Sequence, residues 1–148
     1  MILARTLSGD HVTLEAAVID AFAGRLAGGV LLETAEYEQA RRVWNGIIDK
    51  RPAVIVRCSG VADVLDSVRF ARDHNLLVAV RGGGHNVAGF GTCDGGLVID
   101  LSPLRGIRVD PVTRTVRAQS GVTWGDLDRE RNGSIPPVCV RTSCRQAS

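Results

Sequence analysis

The chain has 148 residues and a formal net charge of +2, with 45% hydrophobic and 23% charged residues. That composition belongs to one globular domain with a core, and the charge is too small to argue for nucleic acid or a membrane surface as a partner. Four cysteines, at 58, 93, 139 and 144, form no CxxC pair and no histidine stands at zinc-finger spacing, so no metal site is expected.

The N-terminus lacks the charged and apolar blocks of a signal peptide, and no apolar run approaches the ~20 residues of a membrane span. The expected location is a reducing cytoplasm with free thiols. Residues 1–10 show no periodicity and are expected to be loose. Thr13 is placed to cap a helix from Leu14, with Leu14, Ala17, Val18, Ala21, Phe22 and Leu26 on one apolar face. Gly28 and Gly29 end it. Residues 34–48 carry Tyr37, Ala40, Val43, Trp44 and Ile47 as apolar positions, which suits a short helix or a segment lying against the domain.

After Pro52, the run Ala53 to Val56 reads as a buried strand. Ser59 to His74 is the clearest helix. Its expected inner face is Val61, Val64, Leu65, Val68, Ala71 and Arg72, with Asp63 and Asp66 near the positive end of its dipole. Asn75 ends it, and Val78 to Val80 is the next strand, so a right-handed βαβ unit is expected. Three short strands follow a glycine-dense stretch: 97–101, 107–110 and 115–118. Gly121 introduces a last helix with Trp124 and Leu127 as its apolar positions.

The glycine-dense stretch reads Arg81-Gly82-Gly83-Gly84-His85-Asn86, then Gly89, Gly91 and Asp94-Gly95-Gly96. Without Cβ atoms a backbone can approach a ligand closely. A P-loop is excluded, because Phe90-Gly91 stands where Lys-Ser/Thr would follow the second glycine. The dinucleotide fingerprint is excluded too, since Val87 replaces its third glycine and a strand follows where a helix should open. Any phosphate would be held by a nest of loop N–H groups. On the glycines alone, a ligand-free connection between strands and a phosphate cradle are equally good readings.

The run Arg81-Gly-Gly-Gly-His85-Asn86-Val-Ala-Gly89, followed by Cys93-Asp-Gly-Gly96-Leu-Val-Ile-Asp-Leu-Ser102, closely resembles the berberine-bridge-enzyme-like flavoproteins of the vanillyl-alcohol-oxidase superfamily. Arg51 to Arg57 resembles that family's first strand, Val61 to His74 its first helix, and Gly121 to Asp128 the helix after the third strand. The resemblance implies an α+β fold: the first α/β subdomain (βαβ plus short strands) of a PCMH-type FAD-binding domain, truncated. It implies FAD as cofactor, with Gly82, Gly83, Gly84, His85, Asn86 and Gly89 in the loop around the pyrophosphate. It implies a covalent bond from His85 to the 8α-carbon of the flavin. Arg81 would either offset phosphate charge or anchor the loop. The implied activity is oxidation of a small-molecule substrate, an alcohol, amine or sugar C–H, commonly with dioxygen as acceptor.

The expected organisation is an N-terminal helical segment over 1–50, a partial FAD-binding domain over 51–130, and a non-matching tail over 131–148. The family's Gly- and Thr-rich continuation is missing after Glu130, and Cys139 and Cys144 do not match a flavin-linking cysteine. A shifted reading frame is one explanation of that tail. An inactive fragment, a flavin module completed by a second chain, and another kind of nucleotide-binding domain stand as alternatives. No catalytic residue is assigned.

Overall fold

A computed structural model describes residues 1–131 and the short strand at 139–140. The core grows from two apolar runs. Val54–Arg57 (β4) and Leu97–Asp100 (β6) pair in parallel, with Val54 opposite Leu97 and Arg57 opposite Asp100. Their side chains are buried on both faces, as a continuous β-branched run in a parallel sheet requires. Val78–Arg81 (β5) runs parallel to β6 on its other side. Gly29–Leu31 (β3) adds an antiparallel strand beyond β4, so the sheet order is β3-β4-β6-β5. The expected βαβ unit is therefore split, with β6 standing between its two strands.

The helix of that unit is Val61–Asp73 (α3). It packs together with Ala16–Ala23 (α1) on one face of the sheet, where Phe22 and Phe70 stack with ring centroids 4.1 Å apart. The other face carries Ala35–Ala40 (α2), which sets Tyr37 and Ala40 against Ile55, Ala79 and Val98. Thr34 caps α2 by accepting from the Tyr37 N–H. The Tyr37 hydroxyl donates to the Pro52 carbonyl at 2.7 Å.

Four expectations need correcting. Residues 1–10 are not loose: Ile2–Arg5 (β1) and His11–Leu14 (β2) form an antiparallel hairpin, closed at Gly9 with φ +94°. Ala4 and Leu14 drive this by entering the core. Leu14 is thus strand, Thr13 caps nothing, and α1 begins after Glu15 without a side-chain cap. The inner face of α1 is Ile19 and Phe22, with Ala17, Val18 and Ala21 exposed. The inner face of α3 is Asp63, Ser67, Phe70 and Ala71, while Val61, Leu65 and Val68 are 68%, 52% and 52% exposed.

A second sheet follows. Ile107–Asp110 (β7) and Thr115–Ala118 (β8) form a hairpin whose turn is held by the Asp110 carboxylate, which accepts from the N–H groups of Val112 and Thr113. Cys139–Val140 (β9) pairs in parallel with β8. The stretch expected as a non-matching tail thus contributes a two-residue strand. Cys144 lies outside the described residues. Trp124–Arg131 (α4) follows Gly121 as expected, but Trp124 is exposed. Among the described residues no helix is long and apolar enough to cross a membrane.

Candidate functional site

The glycine loop leaves the end of β5 and returns to β6. Its root is fixed by Arg81, whose side chain is buried. The guanidinium pairs with the equally buried Asp100, with Nη2 to Oδ2 at 2.6 Å and Nε to Oδ1 at 3.3 Å. It also donates to the carbonyls of Ala40 and Arg42. Of the two roles open to Arg81, the geometry satisfies anchoring, since its donors are committed to protein acceptors.

Gly82 passes against the turn after β8. A Cβ there would lie 2.4 Å from the Ser120 carbonyl oxygen, so only glycine fits. Gly83 leaves room for the His85 ring, since its Cβ would stand 2.9 Å from the imidazole Cδ2. Gly84 has φ +70°, the left-handed region that favours glycine. The backbone then presents His85 to solvent, its ring tilted beside that of Trp44 at 6.2 Å between centroids. The ring nitrogens of His85 have no hydrogen-bond partner among the described residues.

Asn86 shapes the return. Its Oδ1 accepts from the Phe90 N–H at 3.0 Å and its carbonyl from the Gly89 N–H at 3.1 Å. Gly89 has φ +74° and sits under Ile48. The backbone N–H groups of Gly83, Gly84, His85 and Asn86 donate to no group among the described residues. Unused amides in consecutive positions are the elements of an anion nest.

These residues surround a cavity of about 280 Å³. Residues 81 to 86 all line it, and Gly89 sits in the turn that follows. Val80, Phe90 and Gly91 line it as well. Sequence reasoning placed Gly91 in the glycine-dense stretch but assigned none of the three to the site. An exposed Phe inside a glycine-rich loop was the available signal, since nothing in the core calls for it.

The residues suit the pyrophosphate of a dinucleotide: free amides for the anion, no Cβ atoms in the way, and an unengaged imidazole at the rim. The buried thiols are not part of this chemistry. Burial pushes the Cys58 and Cys93 thiols up to about 11, which keeps them protonated.

Known proteins resemble this chain in sequence and fold. The FAD binding domain family matches residues 52–141, past Glu130 and into β9. (R)-6-hydroxynicotine oxidase from Paenarthrobacter nicotinovorans is 40% identical over 94 residues, 64% of this chain and 20% of that protein. The crystal structure of 6-hydroxy-D-nicotine oxidase from Arthrobacter nicotinovorans superposes with a TM-score of 0.67 at 38% identity, covering 71% of this chain and 23% of that one. BBE-like #28 from Arabidopsis thaliana superposes with a TM-score of 0.62 at 26% identity, covering 68% and 23%. The chain spans about a fifth to a quarter of the length of the curated relatives it matches. The match over most of the chain and the shared fold lead to one conclusion: this chain belongs to the FAD binding domain family, with FAD-linked oxidoreductases as its relatives.

Proposed function

We propose that this chain supplies the pyrophosphate-binding part of an FAD-dependent oxidoreductase, with His85 as the point of covalent attachment to the flavin. The observation that carries this is the row of N–H groups from Gly83 to Asn86 that, like the adjacent His85 imidazole, have no hydrogen-bond partner among the described residues. The amides would hold the pyrophosphate, and Gly82 to Gly84 would let it approach the backbone. Arg81 and Asp100 would keep the loop root rigid. When bound, FAD supplies the acceptor for a hydride from an alcohol, amine or sugar C–H bond, with dioxygen as the common final oxidant. The chain's own part is to bind and orient that group.

The test is a denaturing gel of the protein viewed under ultraviolet light. The parent chain should show flavin fluorescence, and His85→Ala should lose it. Fluorescence that survives the substitution contradicts the attachment at His85.

The chain's limited span of its relatives favours a second, compatible reading. Here the chain is one piece of an FAD site whose remainder comes from further sequence or a second polypeptide. Reading the coding DNA beyond the Glu130 codon in the other two frames tests the shifted-frame form of it. A resumed Gly/Thr-rich pattern supports that form, and its absence from both frames contradicts it.

A further inference from the structure

The glycine loop does not stand alone. Residues 40–50 run along it and hold it at its root, tip and return arm. At the root, Arg81 donates to the carbonyls of Ala40 and Arg42. The Trp44 N–H donates to the Gly84 carbonyl at 3.1 Å. Asn45 Nδ2 donates to the Val87 carbonyl at 2.9 Å. Lys50, the only lysine in the chain, donates its ammonium to the carbonyls of Gly89 at 3.1 Å and Thr92 at 3.4 Å. The Ile48 side chain covers Gly89. Arg41 ties the far end of this segment back to α2 by bridging Asp49 and Glu38.

The hydrogen bonds that Trp44, Asn45 and Lys50 donate to the loop all go to its carbonyls, which has a geometric consequence. In a planar trans peptide the N–H of the next residue points opposite to the C=O. Drawing the Gly84 carbonyl toward Trp44 aims the His85 N–H away from the segment. Drawing the Val87 carbonyl toward Asn45 does the same for Ala88. A nest needs its carbonyls turned away from the anion and its amides turned toward it. A cation near a phosphate loop would ordinarily be read as a phosphate ligand, yet Lys50 is engaged with two carbonyls.

We propose that residues 40–50 form a positioning strap for the FAD site, with Asn45 and Lys50 as its positioning residues. They fix the return arm at the Val87, Gly89 and Thr92 carbonyls, and with it the Phe90 N–H that engages Asn86 Oδ1, while the Trp44 N–H turns the Gly84–His85 peptide; together these contacts keep the free amides at 83–86 aligned for the pyrophosphate. The inference rests on the FAD reading of the loop. It adds two residues, neither of which touches the cavity.

The experiment compares the parent chain with Asn45→Ala, Lys50→Met and Lys50→Arg. Three quantities are read: reversible FAD affinity by calorimetry in a His85→Ala background, where no covalent bond can form, hydrogen exchange of the Trp44, Gly89 and Phe90 amides by NMR, and the melting temperature of the cofactor-free protein. Asn45→Ala and Lys50→Met should each weaken FAD binding about tenfold or more. They should also speed exchange at those three amides, while the melting temperature stays within ~2 °C. Lys50→Arg, which keeps a cationic donor, should restore most of the affinity. Unchanged affinity and exchange in both variants overturn the proposal. So does a lowered melting temperature with faster exchange across the sheet, which reduces the segment to a structural role. A parent that binds no FAD contradicts the FAD reading. In that case faster exchange in the variants still upholds the strap, and unchanged exchange overturns it.

Discussion

Asp63 is 2% exposed, and four hydrogen bonds keep its carboxylate there. It accepts from the backbone N–H groups of Ala27, Gly28 and Ser59 and from the Ser59 hydroxyl, at 2.8 to 3.0 Å. Burial alone would push its pKa up; the bonds outweigh this and hold it below the ordinary carboxylate value. A pKa lowered on folding stabilises the protein above the unfolded value of about 3.9, and the stabilisation is lost as pH falls through the folded value. Asp63→Ala leaves three backbone donors without their acceptor, so urea denaturation at pH 7 should show a loss of about 3 kcal/mol or more. The gap between parent and variant should narrow below about pH 4. The thiols give a second expectation. With both raised to about 11 by burial, Cys58 and Cys93 should remain unmodified by iodoacetamide at pH 8, read by peptide mass mapping. At this scale His85 and the glycines around it were legible, because a loop dense in residues without Cβ is a local pattern. Asn45 and Lys50 were not. Their partners lie about 40 positions along the chain, and no local spacing encodes such a contact.

Two helices show where apolar periodicity misleads. In α3 the pattern Val61, Leu65, Val68 has helical spacing and faces solvent. Of the expected face only Ala71 and, in part, Val64 reach the core; the rest of the inner face is Asp63, Ser67 and Phe70, whose polar members are satisfied at home. Asp63 is held by the four bonds described, and Ser67 Oγ donates to the Asp63 carbonyl. Small Ser67 and Ala71 let the helix approach the strands, and Phe70 fills the gap against Phe22. The two assignments of the inner face make opposite predictions. Phe70→Ala should cost about 3–5 kcal/mol in urea denaturation, whereas Leu65→Asp should stay within about 0.5 kcal/mol. The reverse result would restore the face drawn from the sequence. The hairpin of β1 and β2 was missed for a different reason. Its strands are four residues long, too short for alternation to stand out, although Ser8-Gly9-Asp10 is a turn sequence. The longer apolar runs at β4 and β6 were legible because strands buried on both faces need no alternation.

For the whole molecule, the mixed α+β architecture and the FAD binding domain family follow from motif order as much as from any one motif. What the local pattern could not show is how the pieces meet. The second sheet reaches the first through close backbone approaches at Gly82 to Ser120 and at Gly121 to Ser102. These bring the turn after β8 against the base of the glycine loop. The loop is thereby gripped from two sides, by that turn and by residues 40–50, while its amides at 83–86 stay unused. A loop held from two sides with unspent donors is what the proposed pyrophosphate site requires. That proposal is tested most directly by adding FAD to the isotopically labelled chain and following the backbone amides by NMR. The account predicts that the amides of Gly83, Gly84, His85 and Asn86 shift together, with small changes elsewhere in the first sheet. Shifts confined to another region, or none at FAD concentrations well above those of typical cofactor sites, would contradict it.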